Sequence, residues 1–340
     1  MIVPAPHPDQ LSLHALALPW PPDWPHVFGR TAPLVLEIGF GHARFLTDLA
    51  RQHPGWNLIG LERAHAPLAW AEETLQKQSL PNIRLVNGEG LMALHCLFEP
   101  ASLARVYINF SDPWHKKRHR KRRLITPEFL ATLATRLQPG GDVYIATDIA
   151  QYAGEIGLAL ARTPGLRNAY PTPWMSQREG GVLTHYERKA LREGRPCHYF
   201  RYVRDAKPLP ALPVYEELAM PNATLHLPLD ADAIGAAFEP HSLQTRQGER
   251  ISKVMHVYQE PDQAVLMFET VIEEPLFSQR LMLKLLRHAS GEWGLGAGAV
   301  GYPRATAGLH DAVRLLVDWL VSLHPEAHII QHTLRPPDAD

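Results

Sequence analysis

The sequence predicts an α/β protein in two parts: a doubly wound domain of parallel βαβ units over residues 34–204, and a smaller α+β domain over 222–340. Three observations carry this. Short apolar runs alternate with helix-length stretches from Leu34 to about residue 162, prolines cluster between 205 and 221, and the charge changes sign across that cluster. Residues 1–204 hold 24 Lys/Arg against 17 Asp/Glu, a balance of +7, whereas 205–340 hold 10 against 18, a balance of −8. The first part is therefore the expected surface for a polyanion, although the whole chain is nearly neutral.

Taken in order, residues 1–33 carry eight prolines, with Pro19, Pro21, Pro22 and Pro25 around Trp20 and Trp24, and an irregular leader is expected there. The runs LVLEI (34–38), WNLIGLE (56–62), IRLV (83–86), ARVYINF (104–110) and DVYIAT (142–147) read as strands. Helical stretches follow them at 42–52, 65–79, 89–98, 126–137 and 149–162. A Pro/Gly-rich loop is expected over 163–181, then one more strand, HYFRYVR (198–204). Pro208, Pro210, Pro213 and Pro221 mark a linker over 205–221. Beyond it ISKVMHVY, AVLMFETVIE and QRLMLKLL read as mainly antiparallel strands, and Leu309, Ala312, Val313, Leu316, Val317 and Leu320 as one face of a helix.

Composition narrows the chemistry. With 340 residues and 45% hydrophobic content, two ordinary cores can form. The two cysteines, Cys96 and Cys197, lie in no CxxC pair, so neither a zinc site nor a disulfide framework is expected and a reducing cytoplasm is the natural setting. The 19 histidines show no HExxH-type spacing, so no metal is expected. The N-terminus has no signal-peptide pattern and no apolar run approaches the roughly 18–20 residues that span a bilayer, so no membrane partner is expected.

The motifs fall at strand ends. In LVLEIGFGHARF, Gly39 and Gly41 let the backbone turn tightly into a helix, and Arg44 stands where a dinucleotide-binding GxGxxG needs its last glycine. Glu37 suits a cationic ligand such as the amino and sulfonium groups of S-adenosyl-L-methionine. Glu62 can accept two ribose hydroxyls, and Asn87-Gly88-Glu89 can grip an adenine edge. The fourth run ends in Asn109-Phe110-Ser111-Asp112-Pro113-Trp114, where Pro113 restricts Asp112 to extended geometry. Seven Lys/Arg in eight residues follow: Lys116, Lys117, Arg118, Arg120, Lys121, Arg122 and Arg123, with His119 among them. Such density is expected to face water or phosphates, because buried unpaired charges cost several kcal/mol each. Ala146-Thr147-Asp148 adds a second acid, and Leu183-Thr184-His185-Tyr186-Glu187-Arg188-Lys189 a hydroxyl, a ring and a third acid.

In this order these motifs resemble the bacterial tRNA (guanine-N7-)-methyltransferases: an ExGxG turn, a GxE strand end, a DPW motif running into KxRHxKRR, a TD pair and TxYExK. The resemblance covers about residues 30–204 and does not reach the second domain, for which stabilisation, self-association and tRNA orientation stay open. It implies a Rossmann-like S-adenosylmethionine-dependent methyltransferase domain acting on the variable-loop guanine at tRNA position 46. It further implies that Glu37, Gly39, Gly41, Glu62, Glu89 and Asp112 contact the methyl donor, with Asp112 also catalytic. Lys116, Asp148, Thr184, Tyr186 and Glu187 are then implied to contact the target guanosine, and Arg118, His119, Arg120, Lys121, Arg122 and Arg123 the RNA. Ser111 and His115 stand where the family often has proline, and the usual basic N-terminal arm is missing.

Two other readings compete. The DPW motif also resembles the acidic-Pro-Pro-aromatic signature of exocyclic-amine methyltransferases, although only one proline is present. A catalytically silent RNA-binding protein could keep the sheet and the basic run, but Glu37, Glu62, Asp112, Asp148 and Glu187 are all still acids.

Overall fold

The five apolar runs between Leu34 and Thr147 all become strands in the computed structural model, and each feeds a helix. The structure describes residues 10–179, 182–212, 214–215, 217–260 and 264–336, and says nothing of the Lys117 side chain. Two compact units divide it, Ile2–Tyr215 and Glu216–Asp340. The first contains β1 (Ser12–His14), α1 (Trp24–Phe28), β2 (Leu34–Ile38), α2 (Arg44–Gln52), β3 (Asn57–Glu62), α3 (His65–Gln76), β4 (Ile83–Asn87), α4 (Gly90–Cys96) and β5 (Leu103–Asn109). It continues through α5 (Pro127–Arg136), β6 (Leu137–Thr147), α6 (Ala150–Arg162), β7 (Leu166–Asn168), α7 (His185–Arg192) and β8 (His198–Arg204).

These strands form one sheet in the order β1-β4-β3-β2-β5-β6-β8-β7, parallel as far as β6, with β8 and β7 antiparallel beyond it. β2 and β4 are buried along their whole length, as strands covered on both faces must be. The order runs from β2 outward through β3 and β4, and from β5 outward through β6. The crevice for a ligand therefore opens at the carboxyl ends of β2 and β5, where the winding reverses.

Two expectations need correction. The leader is not irregular throughout: β1 pairs with β4 as a parallel edge strand, Trp24 is buried, and its indole N–H donates to the Leu97 carbonyl at 2.8 Å. Proline density misleads here because an edge strand uses its N–H groups on one side only. The segment 163–181 likewise is not all loop, since β7 pairs with β8.

The second unit is a seven-stranded antiparallel sheet built from β9 (Asn222–His226), β10 (Leu243–Gln247), β11 (Arg250–Gln259), β12 (Val265–Glu273), β13 (Ser278–Arg287), β14 (Trp293–Ala297) and β15 (His328–His332). With it pack α8 (Ala231–Ala237) and α9 (Ala307–Ser322). Leu309, Ala312, Val313, Leu316, Val317 and Leu320 are all fully buried, so the periodic face read from the sequence is the face that meets the core.

Candidate active site

The turn after β2 is built on left-handed backbone, with φ +77° at Gly39 and +53° at Gly41, and a Cβ on either would meet no heavy atom within 4 Å. Conformation rather than crowding selects glycine here, and the turn keeps an open side for a ligand. Glu62, at the end of β3, accepts from the Gly41 N–H at 3.2 Å and from the Ala64 N–H at 2.9 Å. Its carboxylate is thereby fixed against the glycine turn. Asn87, at the end of β4, donates to the Glu62 and Arg63 carbonyls at 3.1 and 3.2 Å and ties the two strand ends together. Glu89 stands exposed at the start of α4 with Arg63 3.4 Å away.

Glu37 is 2% exposed on β2. Its Oε1 accepts from Asn109 Nδ2 at 3.2 Å, and its Oε2 is a buried oxygen with no partner. Burial pushes this carboxyl up to about 7, against the downward pull of the Asn109 hydrogen bond and of Arg178. A buried acceptor left unmatched points to a missing donor or cation. S-adenosylmethionine fits: its cationic groups suit Glu37, its ribose hydroxyls suit Glu62, and the open glycine turn admits its backbone-hugging part.

Asp112 lies just past β5, exposed, with no hydrogen bond or ion pair holding its carboxylate among the described residues. The segment around it is held on both sides by non-glycine residues in left-handed backbone, Phe110 at φ +54° and Trp114 at φ +43°. Each such residue costs on the order of 1–3 kcal/mol and persists only where its surroundings over-determine it. The surroundings are visible. Trp114 stacks on His119 with ring centroids 5.7 Å apart and planes 6° apart, and the Arg122 guanidinium lies 5.2 Å over its ring.

The basic run forms a 3-10 helix over Lys117–Arg122, with Lys116, Arg118, Arg120, Lys121 and Arg122 exposed. Arg123 corrects the expectation that the whole run faces water. Its side chain is 10% exposed, donates to the Pro113 carbonyl at 2.6 Å, pairs with Glu155 and covers the Tyr152 ring at 4.9 Å. One member of the run is a clamp on the Asp112 loop, and it can be buried because it is paired.

The THYE motif begins α7. Thr184 caps the helix and Glu187 closes a capping box with it, Thr184 Oγ1 accepting from the Glu187 N–H at 3.0 Å. Glu187 is fully buried and accepts from Arg178 Nε at 3.1 and 3.0 Å and from the Tyr199 hydroxyl at 2.6 Å. Arg178 also donates to Asn109 Oδ1 at 2.8 Å, so a continuous chain runs from Glu187 through Arg178 and Asn109 to Glu37. Here Glu187 is a structural anchor, whereas Tyr186 beside it is 53% exposed. Asp148, after β6, is 14% exposed and paired with Arg195. Arg178 and Tyr199 were missed from sequence: Arg178 sits in an aperiodic loop, and Tyr199 reads as an ordinary strand aromatic.

Carboxylates at four neighbouring strand ends, an open glycine turn in place of a phosphate cradle, and an acid on a strained loop at the crevice define a Rossmann-like methyltransferase domain that takes S-adenosylmethionine as donor. Comparison with known proteins agrees. A family model described as "Putative methyltransferase" matches residues 31–200. A tRNA (guanine-N(7)-)-methyltransferase of Thermus thermophilus is 34% identical over 312 residues, 91% of this chain and 94% of that protein. Proteins of the same name from Burkholderia ambifaria and Syntrophotalea carbinolica are 39% identical over 173 residues and 37% over 185, covering 51% and 54% of this chain and 68% and 80% of theirs. The chain belongs to the tRNA (guanine-N(7)-)-methyltransferase family. The Thermus match is too long to end at residue 204, so, contrary to expectation, similarity extends into the second unit.

Proposed function

We propose that this enzyme transfers the methyl group of S-adenosylmethionine to N7 of the variable-loop guanine, position 46, of tRNA in the cytoplasm. The observation that carries this reading is the pairing of a buried, unmatched Glu37 oxygen with an exposed, rigidly looped Asp112 at adjacent strand ends. Glu37, Glu62 and Glu89 serve the donor, the Gly39–Gly41 turn admits it, and Asp112 faces both donor and target base. Asp148, Lys116, Thr184 and Tyr186 serve the guanosine. Guanine N7 carries a lone pair and no proton, so the transfer needs no general base. The enzyme's work is to align that lone pair with the sulfonium methyl. The product ring is cationic, so the Asp112 carboxylate stabilises the charge as it develops. The cytoplasmic setting is supported by cysteine usage: only Cys96 and Cys197 occur, both are buried, and they form no CxxC pair.

Calorimetry with S-adenosylmethionine tests the donor half. Because burial raises the Glu37 carboxyl to about 7, the free site is protonated below that pH and a cationic donor must expel the proton to bind. Affinity rises by up to tenfold per pH unit between the ordinary value of 4.5 and about 7 and levels off above it. Glu37→Gln loses both affinity and slope. Binding that is flat across this range contradicts the role of Glu37, and no binding at all sinks the enzyme reading.

The exposed members of the basic run serve the tRNA backbone. Reversing Arg120, Lys121 and Arg122 to glutamate weakens tRNA binding and reduces the dependence of log K on log salt by roughly 2–3, at about 0.7–0.9 per phosphate contact. An unchanged slope refutes the phosphate role. The second unit, with its −8 share of charge over 205–340, is not a broad phosphate-binding face.

A further inference from the structure

Beside the crevice lies a surface that the basic run does not account for and to which the roles given above assign only Tyr186. Four exposed rings from three separate elements sit in series. Trp70 on α3 meets His42 of the glycine turn at 4.9 Å between centroids, His42 meets His185 at 5.8 Å, and His185 meets Tyr186 at 5.8 Å. Trp70 is 39% and Tyr186 53% exposed, and both histidines are exposed. A hydrophobic core would have covered these rings.

One of these rings, His185, lines a surface cleft of about 570 Å³ together with Arg44, Arg188, Leu191 and Arg192. The three arginines are exposed, and Asp48 is 4.0 Å from Arg188 and shared with Arg51 at 3.5 Å. His185 is held below its ordinary value by burial and by Arg44, His42, Arg192 and Lys189, which disfavours its charged form. Exposed rings set among exposed arginines match a strand with alternating bases and phosphates. Each base offers a π-face and each phosphate a charge. A duplex would hide its bases from such rings, so the chemistry selects unpaired nucleotides.

We propose that Trp70, His42 and His185, with Arg44, Arg188 and Arg192, form a second tRNA-binding surface that stacks the unpaired nucleotides flanking the target guanine. Its position supports this: His42 follows Gly41 of the donor turn and His185 follows Thr184, so the surface starts where the target base must enter. Base removal from its tertiary contacts costs a few kcal/mol, and stacking of the displaced neighbours offsets it. This rests on the proposed tRNA reading and adds a second contact face, separate in sequence from Lys116–Arg122.

The test measures tRNA affinity against potassium chloride concentration for the full-length protein, Trp70→Ala and Arg188→Gln/Arg192→Gln. S-adenosylmethionine affinity and circular dichroism serve as controls for folding. Trp70→Ala is expected to weaken tRNA binding about five- to a hundredfold with the salt slope kept, because a neutral ring contacts no phosphate. The arginine pair is expected to weaken it and to reduce the slope by roughly 1.4–1.8. Wild-type affinity and slope in both variants, from an enzyme that methylates guanine N7, overturn the surface and leave the function standing. Failure of the unaltered protein to bind tRNA overturns both.

Discussion

Asp112→Ala is expected to lower methyl transfer to tRNA by on the order of 10²–10³-fold or more while leaving the melting temperature and the far-ultraviolet spectrum unchanged. Both halves of that expectation come from the same geometry. The carboxylate is exposed and makes no hydrogen bond or ion pair among the described residues, so its removal costs little stability. Its loop is nonetheless held by Phe110 and Trp114 in left-handed backbone, by the His119 and Arg122 contacts on Trp114, and by the Arg123 hydrogen bond to the Pro113 carbonyl. A rigidly aimed acid with nothing to do for the fold is an acid reserved for a ligand. A preorganised charge facing the developing positive ring has the size of effect that single stabilising groups show in other active sites. Asp112→Asn separates the contributions, because it keeps a hydrogen-bond acceptor and loses the charge. Single-turnover assays at saturating donor read the chemical step directly, and near-normal turnover in Asp112→Ala contradicts the assignment.

Arg178→Ala is expected to destabilise the methyltransferase unit by about 3–5 kcal/mol, since it strands a fully buried Glu187 carboxylate without its cation. For a unit of this size that is a fall of roughly 6–20 °C in its melting transition. The same change removes the donor to Asn109 Oδ1 and so loosens the residue that holds Glu37. S-adenosylmethionine affinity therefore falls as well, including under conditions where the variant is fully folded. Arg178→Ala/Glu187→Gln removes the stranded charge and should recover part of the stability, giving strong non-additivity in a double-mutant cycle. Additive losses would show that Arg178 and Glu187 are not coupled.

The parallel core was readable because its strands are short, continuous apolar runs that end at punctuating residues. Leu34–Ile38 and Ile83–Asn87 are buried on both faces, which the runs themselves announce. The shortest and the glycine-broken strands were not readable. β1 is three residues long among prolines, β7 is three residues in an aperiodic loop, and β14 reads WGLGA, with two glycines that break any strand pattern. At the site, residue type revealed the strand-end carboxylates, but tertiary partners decided what two charged residues do. Arg123 carries the same charge as Arg122 beside it, and Glu155, reached only through the fold, turns it inward. Glu187 lies in the most suggestive motif of the chain, and Arg178 and Tyr199 convert it into a buried anchor. The rings of His42 and Trp70 are 28 positions apart and meet only because β3 brings α3 back beside the first turn.

The central claim is that a donor site at the ends of β2 to β4 and an acid at the end of β5 act together on one base of tRNA. Mass mapping of unmodified tRNA incubated with the protein and S-adenosylmethionine tests it most directly, because reaction, base and position are read at once. One added methyl on guanine N7 at position 46, absent with Asp112→Ala, is the predicted result. A methyl on adenine or cytosine, or on a different guanine, or none at all with the unaltered protein, would contradict it.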